Sequence, residues 1–298
     1  MVLSLGMFAT PAEREAPMAL FDMTSSHPTT SGGSSFEVRG LETDDRPVIQ
    51  RLGRFSVIEY RRDLSVAPDN VVPEYFMSKM GVRRRQTVID LDQSAPVVLQ
   101  AGAMQWMVGP IEATTGIKGV GDFLGKTLRG AVTSESAVKP EYVGQGTIVL
   151  EPTYKHVILV DVADWGPEGV ALEDGMFLAC DGSVEQRLVS RSTVSSALGG
   201  GEGLFNLALR GTGVAALESN VPLGELVEVN LVDDTLKVDG PLAVMWSAGL
   251  KFTVERSSKS LMGSAVTGEG LVNVFRGTGR VLMSPVAPTW SLAAATHS

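Results

Sequence analysis

The fold is decided by a stretch that recurs along the chain, Gly200-Gly201-Glu202-Gly203-Leu204-Phe205-Asn206-Leu207-Ala208-Leu209-Arg210-Gly211-Thr212-Gly213. A second copy reads Thr267-Gly268-Glu269-Gly270-Leu271-Val272-Asn273-Val274-Phe275-Arg276-Gly277-Thr278-Gly279. A blurred copy lies upstream, where Ser134-Glu135-Ser136 leads to Gly144-Gln145-Gly146. Self-similarity at a fixed period indicates that each copy belongs to one repeated supersecondary unit.

Each unit reads as a series of short strands. An apolar-acidic-apolar triplet opens it and predicts a strand with one buried face; the triplets are Ile89-Asp90-Leu91, Val160-Asp161-Val162 and Val227-Glu228-Val229. A strongly apolar strand follows after a glycine turn and is expected to be covered on both faces; these strands are 103–108, 176–180 and 242–246. The Gly-Thr-Gly segments predict a hairpin that closes each unit.

The predicted fold class is therefore all-β, with three repeated β units that form a β-sandwich or a double-stranded β-helix. The units span residues 86–152, 157–219 and 226–284 of a triple-repeat domain at 86–284. Residues 1–35 contain several prolines and a Ser/Gly-rich linker, and are expected to form a flexible extension. Residues 36–85 are expected to form an arm that packs on the β core, with a strand at Phe55–Tyr60, and residues 285–298 a fraying tail.

Composition limits the function classes. The chain has 298 residues, with 34 acidic and 25 basic side chains and a net charge of −9, so we expect no nucleic-acid partner, because phosphate binding needs clustered Lys and Arg. No apolar run reaches the ~18 residues of a spanning helix, and the start of the chain lacks the basic region of a secretory signal. The single cysteine, Cys180, suits a reducing compartment. A cytoplasmic location is expected, or a mitochondrial one for a eukaryotic source.

Two arginine groups and one glycine-rich segment remain open to more than one interpretation. Arg61-Arg62-Asp63 and Arg83-Arg84-Arg85 favour a solvated face or intersubunit ion pairs over an anion site. Residues 116–134 space their apolar side chains as on one face of a short helix. That helix is expected to pack on its own sheets, with contact to a membrane or a partner as the alternative.

The sequence offers no constellation that identifies a reaction. The three histidines, His27, His156 and His297, are too few and too scattered for a histidine-based metal site. No Gly-x-Ser-x-Gly elbow or phosphate loop is present, so no catalytic residue, cofactor or metal site is predicted. The repeated carboxylates Glu135, Glu202 and Glu269 could cap turns or converge on a cation, and Trp106 and Trp246 could line a pocket or lie in the core.

The combined motifs resemble a known family. Gln100-Ala101-Gly102-Ala103-Met104-Gln105-Trp106-Met107, the glycine-rich segment 119–130, the two Gly-Glu-Gly segments and the Gly-Thr-Gly turns are similar to those of the altered-inheritance-of-mitochondria protein twenty-four family. Glu74-Tyr75-Phe76-Met77-Ser78-Lys79-Met80-Gly81 also resembles its longer members. The resemblance implies a fold like that of the tryptophan RNA-binding attenuation protein, assembled as trimers or larger rings. It implies no catalytic residues, and its mitochondrial members look like organisers of inner-membrane architecture and respiratory complexes.

Two functions from different classes follow. The first is a non-catalytic oligomeric scaffold, because many short strands leave edges that must be closed, stacked or paired with another subunit. Its partners would be further copies of the chain, in a trimer or larger ring, with a possible protein partner or peripheral membrane contact. The alternative is a small-ligand-binding module with a pocket between β units or subunits, which rests on analogy of fold.

Overall fold

The computed structural model describes residues 36–114, 139–190, 192–193, 205–256 and 271–286. Over these ranges the chain is predominantly β, with eighteen strands and one α-helix, α1 (Val71–Lys79). The strands are β1 (Val48–Leu52), β2 (Phe55–Glu59), β3 (Arg85–Asp92), β4 (Val97–Leu99), β5 (Met104–Val108), β6 (Ile111–Thr114), β7 (Glu141–Leu150), β8 (His156–Asp161), β9 (Val170–Leu172), β10 (Phe177–Asp181), β11 (Val184–Ser190), β12 (Ser192–Thr193), β13 (Phe205–Gly211), β14 (Val214–Ser219), β15 (Val227–Asp239), β16 (Ala243–Ser247), β17 (Lys251–Arg256) and β18 (Leu271–Met283). The predicted all-β class is confirmed.

The strands form two sheets of ten and eight strands, each bent at a long strand so that four layers stack face to face. The first layer runs β1-β2-β3-β7-β5, and the second runs β6-β7-β4-β10-β14-β8. The third runs β11-β13-β9-β16-β18-β15, and the fourth contains the other halves of β18 and β15 with β17 and β12. The result is a nearly closed, barrel-like sandwich.

Three hydrophobic cores lie between the four layers, and the middle strands serve two of them at once. Val97 and Leu99 of β4 point into the first core, whereas Val98 points into the second. Val170 and Leu172 of β9 lie in the second core. Because side chains alternate across a strand, a strand between two cores must be apolar at every position, which explains the continuous apolar runs.

The N-terminal arm extends the first layer. The strand predicted near Phe55 is β2, which pairs antiparallel with β3 on one side and with β1 on the other. Helix α1 connects β2 to β3 and has no buried residue. Residues 1–35, most of the predicted C-terminal tail and the whole of segment 116–134 lie outside the described residues.

The predicted hairpin at each Gly-x-Gly segment is wrong. Strands β13 and β14, on either side of Gly211-Thr212-Gly213, do not pair with each other but lie in different layers. Strand β7 continues without interruption through Gly144-Gln145-Gly146. Gly144 has φ +141°, and a Cβ there would lie 2.1 Å from the carbonyl oxygen of Pro110. These glycines therefore let one strand pass from one layer to the next, which needs close backbone approach rather than a reversal.

The expectation that strand 103–108 is covered on both faces is also wrong. Along β5 the side chains alternate between half-buried and exposed, and Met107 is 39% exposed. The corresponding strands β10 and β16 are mostly buried. The physical reason is position: β5 lies at the edge of the first layer, where no further layer or strand of the described chain covers it.

The same strand pairing occurs in each predicted unit. In each unit the strand after the glycine turn pairs with the last strand of the unit, here called the closing strand (β7, β13 with β14, or β18). The register of this pair shifts by one residue near its start, between Met104 and Trp106, between Phe177 and Ala179, and between Ala243 and Met245. These pairings support the division into three units, which stays a prediction from the sequence.

Candidate functional site

The repeated carboxylates cannot be placed. Glu135, Glu202 and Glu269 all lie outside the described residues, so their convergence on a cation or on turn amides stays a prediction. Among the residues that are described, no group of three or more His, Cys, Asp or Glu side chains could hold a metal ion.

The two tryptophans singled out by the sequence lie in different surroundings. Trp246 is buried in the third core, where its ring packs 5.3 Å from the rings of Phe252 and Phe275. Trp106 is half-buried on the outer face of the first layer, beside Val149. Trp106 directly follows the register shift in β5, whereas Trp246 stands one residue further along β16. A one-residue offset turns a side chain to the opposite face, so the structure does not bring the two rings into one pocket.

Cys180 is a buried thiol on β10. Its side chain is fully inaccessible within the second core, and burial raises its pKa to about 12, with a further contribution from Asp181. A thiol with so little thiolate is a poor nucleophile. This environment therefore fits an inert, structural role for Cys180.

Arginines of both groups are paired with carboxylates of the same chain. Arg84 on the approach to β3 donates from Nε to the Tyr154 hydroxyl at 2.8 Å and from Nη2 to Glu74 of α1 at 3.0 Å. Its Nη1 lies 3.0 Å from Asp63. The Tyr154 hydroxyl also donates to Glu74, and this bond, assisted by Arg84, lowers the pKa of the Glu74 carboxyl. The network fastens α1 to the β layers.

A second charged group lies beside the first. Glu59 of β2 accepts from Arg83 at 2.9 Å and from Arg85 at 2.8 Å. These side chains and His156 line a groove of about 500 Å³ that also includes Ile49, Gln50 and Leu223. Burial lowers the pKa of His156, and Arg85 lowers it further. Ion pairs within the chain thus account for Arg83, Arg84 and Arg85, where the sequence favoured a solvated face or pairs between subunits.

Helix α1 and the residue that follows it carry a group of exposed apolar side chains. Val72, Tyr75, Phe76 and Met80 are each more than half exposed, as is Leu64 before the helix. Sequence reasoning missed this helix because its apolar residues follow no regular helical period. The available signals were Asn70 before it, Pro73 in its first turn and Gly81 after it, which together mark a short helix.

A groove of about 570 Å³ lies on the outer face of the first layer, beneath residues 38–48. Its floor combines apolar Ile58 and Val88 with Ser56, Asp90 and Thr147. Thr147 donates to Asp90 at 3.0 Å. A concave surface of this size with a few polar groups is typical of small-ligand sites.

At the two ends of the stack, four strands have one strand neighbour each within the described chain: β1, β5, β12 and β15. The thirteen-residue strand β15 pairs only with β18, and β5 pairs only with β7. The edge of β8 differs, because the Gln50 side chain bonds both the amide and the carbonyl of Leu159 at 3.4 Å. No helix of the described residues has the length and apolar character to span a bilayer.

The fold and surface define a layered antiparallel sandwich protein whose end strands expose unpaired edges. Comparison with known families gives a match between residues 80–286 and the family described as Mitochondrial biogenesis AIM24. The chain belongs to this family, as the motifs indicated.

Two bacterial proteins are similar to this chain. An uncharacterized protein of Streptococcus pyogenes is 32% identical over 200 residues, which are 65% of this chain and 78% of that protein. The crystal structure of a protein from Streptococcus pyogenes matches with a TM-score of 0.51 and 25% identity, over 72% of this chain and 93% of the other. These comparisons carry the family and the fold, and name no activity.

Proposed function

We propose that the protein is a non-catalytic structural protein that assembles with copies of itself and organises other components. The observation that carries this proposal is β15, a thirteen-residue strand with hydrogen bonds on one side only within the described chain. A long strand edge is a template for pairing with another chain. The implied trimer or larger ring, and the attenuation-protein-like fold, belong to this proposal.

The charged side chains support a structural role. The groups that lie close together, around Arg84 and around Glu59, are joined to one another in ion pairs that tie α1 and β2 to β3. In an active site one would expect an acid, a base or a nucleophile directed at an open cleft. Pairing of this kind favours a fastening role instead.

A contact with another protein or with a lipid surface is also part of the proposal. It is supported by α1, where Tyr75 and Phe76 lie side by side and exposed, with Lys79 5.1 Å above the Tyr75 ring. Exposed apolar patches on a folded domain commonly mark interaction sites. The cytoplasmic location expected from the single cysteine stays a prediction.

The test is the mass of the untagged full-length protein in solution, by light scattering over a range of concentrations, followed by native mass spectrometry. We expect a mass that is a multiple of 31.6 kDa and no stoichiometric small molecule. A monomer at micromolar concentration would contradict the oligomeric scaffold.

A second candidate, small-ligand binding, is favoured by the 570 Å³ groove over Ile58 and Val88. A ligand that binds only the folded state raises thermal stability. A metabolite panel measured by thermal unfolding should then contain a compound whose effect is lost in Thr147→Val, which removes a polar group from the groove floor. If no compound shifts the transition, this second candidate fails.

A further inference from the structure

Two junctions inside the chain join strands of successive predicted units in the same way. At the first, β4 pairs antiparallel with β10, with Leu99 opposite Ala179 and Val98 opposite Cys180. The pairing extends at both ends through the amides of Gln100 and Gly182. Gln100 donates to the Leu178 carbonyl and Gly182 to the Pro96 carbonyl, each at 2.8 Å.

The second junction repeats this register. Strand β9 pairs antiparallel with β16, with Leu172 opposite Met245 and Ala171 opposite Trp246. Its extending bonds run from Glu173 to the Val244 carbonyl and from Ala248 to the Gly169 carbonyl, each at 2.9 Å. Each junction thus joins the short strand before a glycine turn to the apolar strand of the next unit.

Strand β5 is built like β10 and β16 but has only one neighbour among the described strands. All three strands shift register by one residue against their closing strand, and the residues after the shift are Trp106, Ala179 and Met245. By this correspondence Trp106 occupies the place of Ala179 and Met107 the place of Cys180. The edge of β5 that would receive a short strand is unpaired.

The second half of β15 is built like β4 and β9. Leu236 lies opposite Phe275 in the closing strand, as Val97 lies opposite Tyr142 and Val170 opposite Leu209. Leu236 and Val238 pack into the third core, as the outer residues of β4 pack into the first. The opposite edges of β4 and β9 pair with the apolar strand of the next unit, β10 or β16. The same edge of the second half of β15 is unpaired in the described chain.

Other layer edges do not call for a partner. Strands β1, β6, β8, β11 and β12 also have one strand neighbour each within the described chain. Only the β5 and β15 edges correspond to the strands that join successive predicted units in one shared antiparallel register, β4 with β10 and β9 with β16.

We propose that β15 of one copy pairs antiparallel with β5 of a second copy, in the register of the two internal junctions. Val238 then lies opposite Trp106, Lys237 opposite Met107, and Leu236 opposite Val108 of the second copy. This inference rests on the proposed self-association and specifies its contact. The fourth layer of one copy and the first layer of the next copy then form one continuous layer. That layer is equivalent to the second layer and to the third layer within a single copy.

The contact is head-to-tail, so every copy uses one edge of each kind. Such a heterologous interface closes into a ring where the rotation between copies divides a full turn, and extends into a filament where it does not. Lys237 stands where β4 has Val98 and β9 has Ala171. A lysine on a strand edge keeps an unassembled edge from indiscriminate pairing, and its side chain lies on the outer face of the fourth layer.

Proline substitutions test the contact, because proline removes an N–H donor and is tolerated where that donor points away from the sheet. At the internal junctions the amides of Gln100 and Gly182 donate to the opposite strand, and hydrogen-bonded residues alternate along an antiparallel pair. In the same register, the N–H groups of β5 and β15 that point towards the second copy are those of Met107 and Lys237. Met107→Pro and Lys237→Pro are each expected to give a monomer by light scattering where the unmodified chain is an oligomer. Met107→Thr and Lys237→Thr keep the donor and are the matched controls, expected to assemble.

Mixing the two proline variants separates this contact from a symmetric one. Met107→Pro retains an intact β15 and Lys237→Pro an intact β5, so the mixture is expected to form a one-to-one dimer. An unmodified oligomer that neither proline affects overturns the inference and leaves self-association standing. A monomeric unmodified chain overturns both. Assembly only after deletion of residues 1–35 shows that this extension, which joins the described chain at Phe36 beside Gly109, fills the β5 edge, and overturns the inference.

Disulfide cross-linking provides a second measurement if a proline variant fails to fold. Directly paired strand residues have Cα atoms within disulfide range. The double variant Met107→Cys with Lys237→Cys is expected to give reductant-sensitive ladders of chains on oxidation, whereas each single variant gives at most a dimer. Ladders absent from the double variant overturn the proposed register.

Discussion

The guanidinium of Arg85 lies 2.8 Å from the carboxylate of Glu59, and the two side chains are 5% and 13% exposed. The residues stand directly opposite each other in the β2–β3 pair. Arg85 also donates to the carbonyls of Gly81, Arg83 and Lys155. Strand β2 is therefore attached to β3 by a nearly buried ion pair as well as by backbone bonds.

Removing the carboxylate leaves a buried cation without its counter-charge, and breaking such a pair costs about 3–5 kcal/mol. Glu59→Gln should lower the free energy of unfolding by this amount in urea titrations. Glu37→Gln is the matched control, because the Glu37–Arg39 pair is exposed and its loss should have no measurable effect. Equal stability of the two variants would show that Glu59 does not fasten the arm.

The apolar surface of α1 should be dispensable for folding. Phe76 is 63% exposed, so Phe76→Ala should change the free energy of unfolding by less than about 0.5 kcal/mol. Phe275→Ala, at a fully buried position in the third core, should cost about 3–5 kcal/mol. A large loss for Phe76→Ala would mean that α1 is part of the fold and not a free surface.

The passage of β7 between layers should not tolerate a side chain at Gly144. A Cβ there meets the Pro110 carbonyl oxygen at 2.1 Å, and the φ of +141° is unfavourable for other residues. Gly144→Ala should destabilise the protein by more than about 1 kcal/mol, measured as the urea midpoint. Gly224→Ala has open space around it and should leave the midpoint unchanged or slightly raised.

Cys180 should resist thiol reagents while the protein is folded. At pH 8 its thiol is almost entirely protonated, because burial raises the pKa to about 12. Labelling with a chromogenic disulfide should therefore require unfolding and accelerate with urea. Val232→Cys places a second thiol at a position that is 81% exposed and should react at once, and equally fast reaction of Cys180 would contradict its burial.

The Glu255–Arg276 pair should make stability depend on pH at the acid end. Bonds from Arg276, and then from Thr253, lower the pKa of Glu255 to about 2. A depressed folded-state pKa contributes stability above the unfolded value of ~4.3. That stability is lost as the pH falls through the folded-state pKa.

The free energies of unfolding of the wild type and Glu255→Gln should therefore differ at pH 7. They should converge as the pH falls from about 4 to 2, with a small difference throughout because water and salt screen the pair. Urea titrations at successive pH values measure this. A difference that does not depend on pH would assign the effect to packing.

Several features were readable from the sequence because they depend on local pattern. The strand near Phe55 and the apolar runs at Met176–Cys180 and at 242–246 follow from residue type and spacing. Family membership followed from the motifs around Met104 and Gly203. The error at Gly211-Thr212-Gly213 was of another kind, because glycine permits both a reversal and a close crossing, and only the neighbouring strands decide between them.

By itself the sequence determined the all-β class and the recurrence of its strand pattern, since these depend on composition and on the period of apolar residues. Only the tertiary structure decided that Trp246 lies in a core, that β5 and the end of β15 lack a neighbour, and that Arg85 is paired with Glu59. Those facts depend on which distant strands meet and in what register. A one-residue shift in register exchanges the buried and exposed faces of a strand, and no local pattern specifies its partner.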